Sequence, residues 1–200
     1  MTTHDQLPHS RSENSIDNRL DAQLQRLVSD AAALAELRRA VGRPPGDAPM
    51  TWPYVVPLAG ESSDRRFDAV HVTLTLFALH QQAQTVPMHR RDQQSLGGAA
   101  GLLAARRDVS QGVERRFLAA ATSDTVGELA LHARGLITLL RGEGIWLDYV
   151  ELFHDFERWP DPQRRSRVRR RWGRDFYRVG SEDLSEGEPA GSVDVTAAAD

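Results

Sequence analysis

The segment AVHVTLTLFALHQQ, residues 69–82, decides the fold class of the chain. Its β-branched residues would suit a strand, but the apolar run is longer than ten residues, which favours a helix. No second segment resembles a strand that could pair with it, and an isolated strand is not stable. We therefore predict a helix here, with Ser63 as its N-cap, and an all-α fold for the chain.

Helical patterns continue on both sides of this segment. Upstream, apolar residues recur at helical spacing from Leu20 to Leu37 and predict one helix that ends before Gly42. Downstream, serines are placed to begin three helices: Ser95, Ser110 and Ser123. The first of these helices, LGGAAGLLAAR, consists of small residues and could pack closely on a neighbour. With two more helices near the C-terminus, we expect a compact bundle of about seven helices, as one unit or as two small helical subdomains.

Residues 42–60 have no helical pattern. They contain five prolines, and a proline inside a helix removes a hydrogen bond and clashes with the preceding turn. This composition predicts a long ordered loop, with Trp52 and Tyr54 as its anchors. Residues 1–17 and 181–200 are polar, so we expect disordered termini on either side of an all-helical domain at residues 18–180.

Charge is distributed unevenly along the chain. The net charge is −3, yet residues 20–180 hold 23 arginines and 19 acidic residues, whereas residues 181–200 hold six acidic residues and no arginine. The folded part is therefore mildly basic, and the overall charge is a poor guide to its partners. All 25 basic residues are arginine, which a GC-rich genome would also produce, so lysine's absence supports no functional conclusion.

Composition excludes several classes of protein. The chain has no cysteine, which rules out disulfides, thiolate zinc sites and a cysteine nucleophile. Its first residues lack the apolar core of a signal peptide, and no apolar run approaches the ~20 residues of a membrane helix. We expect a soluble cytoplasmic protein with no membrane partner.

The sequence RRSRVRRRWGRDFYR, residues 164–178, has eight arginines in fifteen residues. In a helix, the apolar side chains fall within about 80° of one another: Val168, Trp172, Phe176 and Val179. A neighbouring arc holds Arg164, Arg167, Arg171, Arg174 and Arg178. This pattern predicts a helix that packs its apolar face on a core and presents guanidinium groups to an anionic ligand. A solvated basic helix is the alternative interpretation.

Acidic residues give weak evidence for catalysis. Asp148, Glu151 and Asp155 share roughly one helical face beside His154, so a metal-dependent nuclease is one hypothesis. We favour a solvated acidic face that balances nearby arginines.

Two other polar pairs have simpler interpretations than catalysis. Glu128 and His132 at i, i+4 supply only two metal ligands, and an ordinary surface pair is favoured. His71 and His80 lie nine residues apart on an apolar helix, so we expect both in the core. We therefore predict no enzymatic activity, no cofactor and no metal.

Several sequence segments, taken in their order along the chain, resemble those of a known family. They are LAELRRAVGRPPGDAPMTWPYV, AVHVTLTLFALHQQ, SLGGAAGLLAARRD, VERRFLAA, LITLLRGEGIWLDYVELFHDFERW and VRRRWGRDFYR. The combination of FALHQ, LDY and WGRDFYR is specific, and the similarity runs from about Leu34 to Arg178. The chain resembles the CasB-type small subunit of the type I-E CRISPR surveillance complex, Cascade.

The resemblance implies a compact all-helical subunit with no catalytic activity. Its implied partners are the CRISPR guide RNA, the target and non-target DNA strands, the Cascade backbone and large subunits, and a second copy of itself. Its basic surfaces would steady the guide–target duplex and the displaced non-target strand of the R-loop without sequence specificity. A structural adaptor whose arginines bind acidic surfaces of partner proteins is the alternative.

The resemblance also implies which positions bind nucleic acid. Carried over to this sequence, they are Arg38, Arg39, Arg115, Arg116 and Arg134, together with Arg164, Arg167, Arg171, Arg174 and Arg178 of the C-terminal helix. Within that helix we expect the apolar residues to hold the fold and the arginines to bind.

Overall fold

A computed structural model describes the backbone of residues 9–106 and 110–185, and the side chains of residues 16–106 and 111–178. The described ranges contain nine α-helices: α1 His9–Leu27, α2 Ala31–Arg39, α3 Trp52–Ala59, α4 Asp64–His80, α5 Leu96–Arg106, α6 Ser110–Thr122, α7 Val126–Gly142, α8 Tyr149–Arg158 and α9 Pro162–Ser185. Their only β-type pairing is an isolated bridge between His89 and Leu147. The all-α prediction is confirmed, with nine helices rather than about seven.

Helix α4 is the centre of the bundle, and it contains most of the segment that decides the fold. It packs against α2, α3, α7 and α8, so it is buried nearly all round. Both histidines lie in the core, as predicted. His71 Nδ1 is 3.1 Å from Thr51 Oγ1, and His80 Nδ1 is 3.0 Å from the Tyr149 hydroxyl. Burial lowers the pKa of His71, and it lowers the pKa of His80 to about 3, so both rings are neutral.

The first predicted helix is in fact two helices. The chain leaves the helical path after Leu27, and Asp30 caps α2 by accepting a hydrogen bond from the Ala33 amide at 2.9 Å. The prediction of one helix from Leu20 to Leu37 was wrong because this capping carboxylate interrupts an apolar pattern that continues on both sides. Helix α1 also begins within the predicted N-terminal segment, at His9.

The prediction of a loop over residues 42–60 was wrong. The segment contains two 3₁₀ turns, Pro45–Asp47 and Pro49–Thr51, followed by α3. A proline in the first turn of a helix is tolerated because the amide there has no helical acceptor, and Pro53 occupies that position. Both predicted anchors do form hydrogen bonds, because Trp52 Nε1 donates to the Pro45 carbonyl and Tyr54 donates to Glu36.

Helix α5 packs closely on α9, as its small residues predict. A Cβ atom at Gly97 would overlap the backbone of Trp172, and one at Gly101 would lie 2.6 Å from the Phe176 carbonyl oxygen. Ser95 caps α5 as predicted, since its hydroxyl accepts the Gly98 amide at 3.1 Å. This close contact fixes α9 against the rest of the bundle.

The start of α7 corrects one further prediction. Thr125 is the N-cap and accepts the Glu128 amide at 3.1 Å, whereas Ser123 is buried before the helix and its carbonyl accepts the Trp159 indole N–H. No helix in the described ranges is both long and apolar enough to cross a membrane.

Candidate nucleic-acid interface

The inner face of α9 consists of the apolar residues that the sequence pattern predicts. Val168, Trp172 and Phe176 are buried. The Trp172 ring lies 5.3 Å from that of Trp159, and the Phe176 ring stacks on Phe117 with 4.4 Å between centroids. These contacts fix the rotation of α9 about its axis, and therefore they fix which arginines face solvent. The Val179 side chain lies outside the described residues.

The outer face of α9 is a row of exposed arginines, here called the arginine stripe: Arg164, Arg167, Arg170, Arg174 and Arg178. Arg164 pairs with Asp161 at 3.6 Å and Arg178 with Asp175 at 3.9 Å, both within the helix or at its start. Among the described residues, Arg167, Arg170 and Arg174 have no ion-pair partner. Arg170 was missed in the sequence analysis, although its i, i+3 and i, i+4 spacing to Arg167 and Arg174 was a usable signal.

Arg171 points into the protein, so its predicted place among the outward arginines was wrong. Its Nη2 atom is 2.7 Å from Asp155 Oδ1, and its Nη1 atom is 3.1 Å from Glu151 Oε1. Asp155 is 1% exposed and also accepts the Trp172 indole N–H at 2.8 Å. Position 171 borders the apolar arc, and a buried carboxylate opposite it draws the guanidinium inward. Arg171 therefore anchors α9 to α8.

Two more arginines of α9 bind the turn between α6 and α7. Arg165 and Arg169 lie 3.5 and 3.6 Å from Asp124, and Arg169 Nη2 donates to the Ser123 carbonyl at 2.6 Å. The eight arginines therefore divide into five that face solvent and three that hold the helix in place.

The carboxylates considered for metal binding have structural partners instead. Asp148 caps α8 by accepting the amides of Val150 and Glu151 at 3.0 and 3.1 Å. His154 faces away from them, with Nε2 2.7 Å from Asp17. Since Asp148 and Asp155 are buried, the interpretation as a solvated acidic face was wrong. Within the described ranges, no group of three His, Asp or Glu side chains could hold a metal ion.

Replacing Glu151 by glutamine is expected to weaken the pH dependence of stability. Burial raises the pKa of Glu151 from 4.5 to about 7, although the Arg171 guanidinium opposes this rise. The folded state therefore binds more protons than the unfolded state between these values, so stability falls as the pH rises through this window. Glutamine cannot ionise, so urea unfolding at about pH 5 and about pH 8 should differ less in E151Q than in the wild type. If stability changed between these two pH values as much in E151Q as in the wild type, Glu151 would not be the group whose pKa is raised.

The other predicted arginines lie on three further helices. Arg38 is half-buried and Arg39 exposed at the end of α2, which packs mainly on α4. Arg115 and Arg116 are exposed on α6, where they line a shallow depression of about 360 Å³ with α7. Arg134 is exposed on α7.

Helix α6 is the element that brings two groups of predicted arginines near each other. It contacts α9 through the stacked Phe117 and Phe176 rings, and the Tyr177 hydroxyl donates a hydrogen bond to Glu114 at 2.5 Å. The arginine stripe and the Arg115–Arg116 pair therefore lie on adjacent helices.

The fold and this surface define a small all-helical protein whose last helix is held by aromatic rings and displays a row of guanidinium groups. The chain matches the family described as CRISPR-associated protein Cse2 over residues 33–177, and it belongs to that family. No curated protein sequence matches the chain.

Solved structures of this family are similar to the chain over most of their length. CasB from Thermobifida fusca is 28% identical with a TM-score of 0.68, and the match covers 82% of this chain and 97% of that one. A Cse2-family protein from Thermus thermophilus is 30% identical with a TM-score of 0.66, covering 80% and 97%. A chain of a CRISPR RNA-guided surveillance complex shares the fold at 23% identity, with a TM-score of 0.72 and coverage of 86% and 99%.

Proposed function

We propose that the chain is a non-catalytic small subunit of a type I-E CRISPR surveillance complex and that the arginine stripe binds nucleic acid in it. Family membership and the shared fold of a surveillance-complex chain support the first part of the proposal. The single observation that supports the second is the row of exposed arginines on α9, three of which have no ion-pair partner in the described residues. Guanidinium groups bind phosphate in a bidentate manner, and the phosphate backbone supplies most of non-specific affinity.

The geometry of the stripe suits a nucleic-acid strand. From Arg167 to Arg178 the helix rises about 16 Å, close to five nucleotide steps along one strand of a duplex. Contacts to phosphates position a strand but carry no direct sequence information. The stripe, with Arg115 and Arg116 on the adjacent helix, would therefore steady the guide–target duplex and the displaced non-target strand while base pairing supplies specificity.

Partners follow from the same proposal. In the complex the chain would contact guide RNA, both DNA strands, the backbone and large subunits and a second copy of itself. The Cse2 family and the fold of a surveillance-complex chain support membership of the complex.

Replacing Arg167, Arg170 and Arg174 together by alanine is expected to weaken the binding of single-stranded DNA. All three side chains are exposed and form no ion pair in the described structure, so the fold should remain intact. Each lost phosphate contact lowers the slope of log affinity against log salt by about 0.7, so the triple variant should lose about 2 from this slope. Fluorescence anisotropy over a salt series measures both quantities.

The matched control removes three exposed arginines from other elements: Arg26, Arg65 and Arg91. It changes the net charge by the same amount, so a general charge effect would weaken both variants equally. If the stripe variant binds DNA like the control but fails to join the complex, the stripe binds acidic protein surfaces instead, and the adaptor hypothesis is correct.

A further inference from the structure

A groove of about 430 Å³ opens between α4 and α7, away from the arginine stripe. Its walls are aliphatic, formed by Val72, Leu76, Val126, Ala130 and Leu131, and the turn at residues 41–45 also lines it. Leu131 is 64% exposed at its edge. Exposed large aliphatic side chains beside an apolar groove are typical of an interaction site.

The polar groups inside the groove are already partnered. His71 Nε2 lies 3.0 Å from the Arg43 carbonyl, and the Thr75 hydroxyl donates to the Val72 carbonyl at 3.0 Å. Apart from the two arginines at its mouth, the described residues of the groove therefore offer no unpartnered donor for a base edge, and the one aromatic ring in its lining, the His71 imidazole, is buried and not open to base stacking. Single-stranded nucleic acid is usually held through such stacking, so the groove suits an aliphatic or aromatic protein side chain better than a base.

Charge at the mouth of the groove is mainly basic. Arg43 and Arg134 are exposed and have no ion-pair partner in the described parts of the chain. Arg134 reaches across the mouth, because its Nη1 atom would be 3.7 Å from a Cβ atom at Gly42. The acidic group of the lining is Asp68, on the α4 side, where burial and then Asp64 raise its pKa. An incoming carboxylate is therefore attracted to the side formed by Arg43 and Arg134.

We propose that this groove binds an acidic segment of a neighbouring protein subunit. The segment inserts an apolar side chain between α4 and α7 and places a carboxylate against Arg43 and Arg134. This inference rests on the proposed membership of a complex, but it concerns protein assembly and not nucleic acid. It also gives Arg134 a protein partner in place of the nucleic-acid contact that the resemblance implied.

Filling the groove tests this proposal. Gly127 lines it, and a Cβ atom there would meet no heavy atom within 4 Å, so a G127W variant can place an indole ring in the groove without disturbing the core. Thr138 lies on the same helix, is exposed and lines neither the groove nor the depression beside Arg115 and Arg116, which makes T138W the matched control. Each variant is co-expressed with the tagged remaining subunits of the complex, and the amount of the chain that co-purifies is measured.

We expect G127W to co-purify at least about tenfold less than the wild type and T138W to co-purify normally. The charge-reversed double variant R43E/R134E, which alters only exposed side chains, should be lost from the complex in the same way. Thermal melting of each isolated variant and the DNA affinity of isolated G127W should match the wild type, which shows that the loss is one of assembly and not of folding.

Three results would overturn the proposal. The first is full assembly of G127W. The second is a loss of DNA affinity by isolated G127W, which would make the groove a nucleic-acid site. The third is a change in the methyl NMR signals of Val72 and Leu131 when residues 186–200 are removed, which would identify the chain's own acidic tail as the occupant. Failure of the proposed function has a different signature, because the wild-type chain itself would then not co-purify.

Discussion

Replacing Gly97 by alanine is expected to destabilise the protein by about 3 kcal/mol or more. A methyl group at this position would overlap the backbone of Trp172, and backbone atoms cannot move aside as a flexible side chain can. Helices α5 and α9 would have to separate, and the stacked rings beneath α9 would lose contact. The midpoint of urea unfolding, followed by circular dichroism, measures the loss.

Gly98 provides a matched control in the same turn of the same helix. A Cβ atom there would lie 3.7 Å from Ser95 Oγ and 3.8 Å from Asp175 Cβ, which are ordinary van der Waals distances. Alanine is also favoured over glycine inside a helix by roughly 0.5–1 kcal/mol, so G98A should be as stable as the wild type or slightly more stable. Equal stability of G97A and G98A would mean that α5 and α9 are farther apart than described.

Replacing Asp155 by alanine is the second change with a large expected effect, a loss of about 3–5 kcal/mol. Asp155 is the buried carboxylate that neutralises Arg171 and accepts the Trp172 indole N–H. Its removal leaves a half-buried cation whose remaining ion-pair partner among the described residues is Glu151, and an indole donor without an acceptor. The free energy of unfolding from urea titration measures this effect.

The same substitution at Asp124 is the control, because Asp124 also pairs with two arginines of α9 but is 78% exposed. Exposed ion pairs contribute about 0–1 kcal/mol, so D124A should be nearly neutral. If D155A lost as little unfolding free energy as D124A, the interactions of Asp155 with Arg171 and Trp172 would contribute little to holding α9.

Much of the fold could be predicted because the spacing of apolar residues indicates which face of a helix is buried. Residues 69–80 are helical, and Trp172 and Phe176 hold α9 as the pattern indicates. The break before α2 could not be predicted from the apolar pattern, because a single side-chain hydrogen bond from Asp30 decides it. The helix at Trp52–Ala59 was missed because Pro53 lies in the first turn, where proline is tolerated, and because the helix forms in spite of Pro57 in its interior.

The candidate site was harder to predict than the fold. Helical spacing places Arg167 and Arg171 within about 40° of each other, in the arc expected to face outward, yet Arg167 faces solvent and Arg171 pairs with Asp155. Their difference depends on a carboxylate sixteen residues earlier on another helix. Likewise, Asp148 and Asp155 show the spacing of a solvated face, and only the packing of α8 beneath α9 shows that they are buried.

The aromatic contacts beneath α9 have a consequence for the entropy of binding. A basic tail without structure would lose about 1–2 kcal/mol of backbone conformational freedom for each residue that a strand orders. In α9 that freedom has already been lost during folding, because Trp172 and Phe176 hold the helix in one orientation. Only the arginine side chains remain to be ordered when a phosphate arrives. The rigid helix therefore loses less binding free energy to ordering than a flexible segment of equal charge, so it should bind phosphate more tightly.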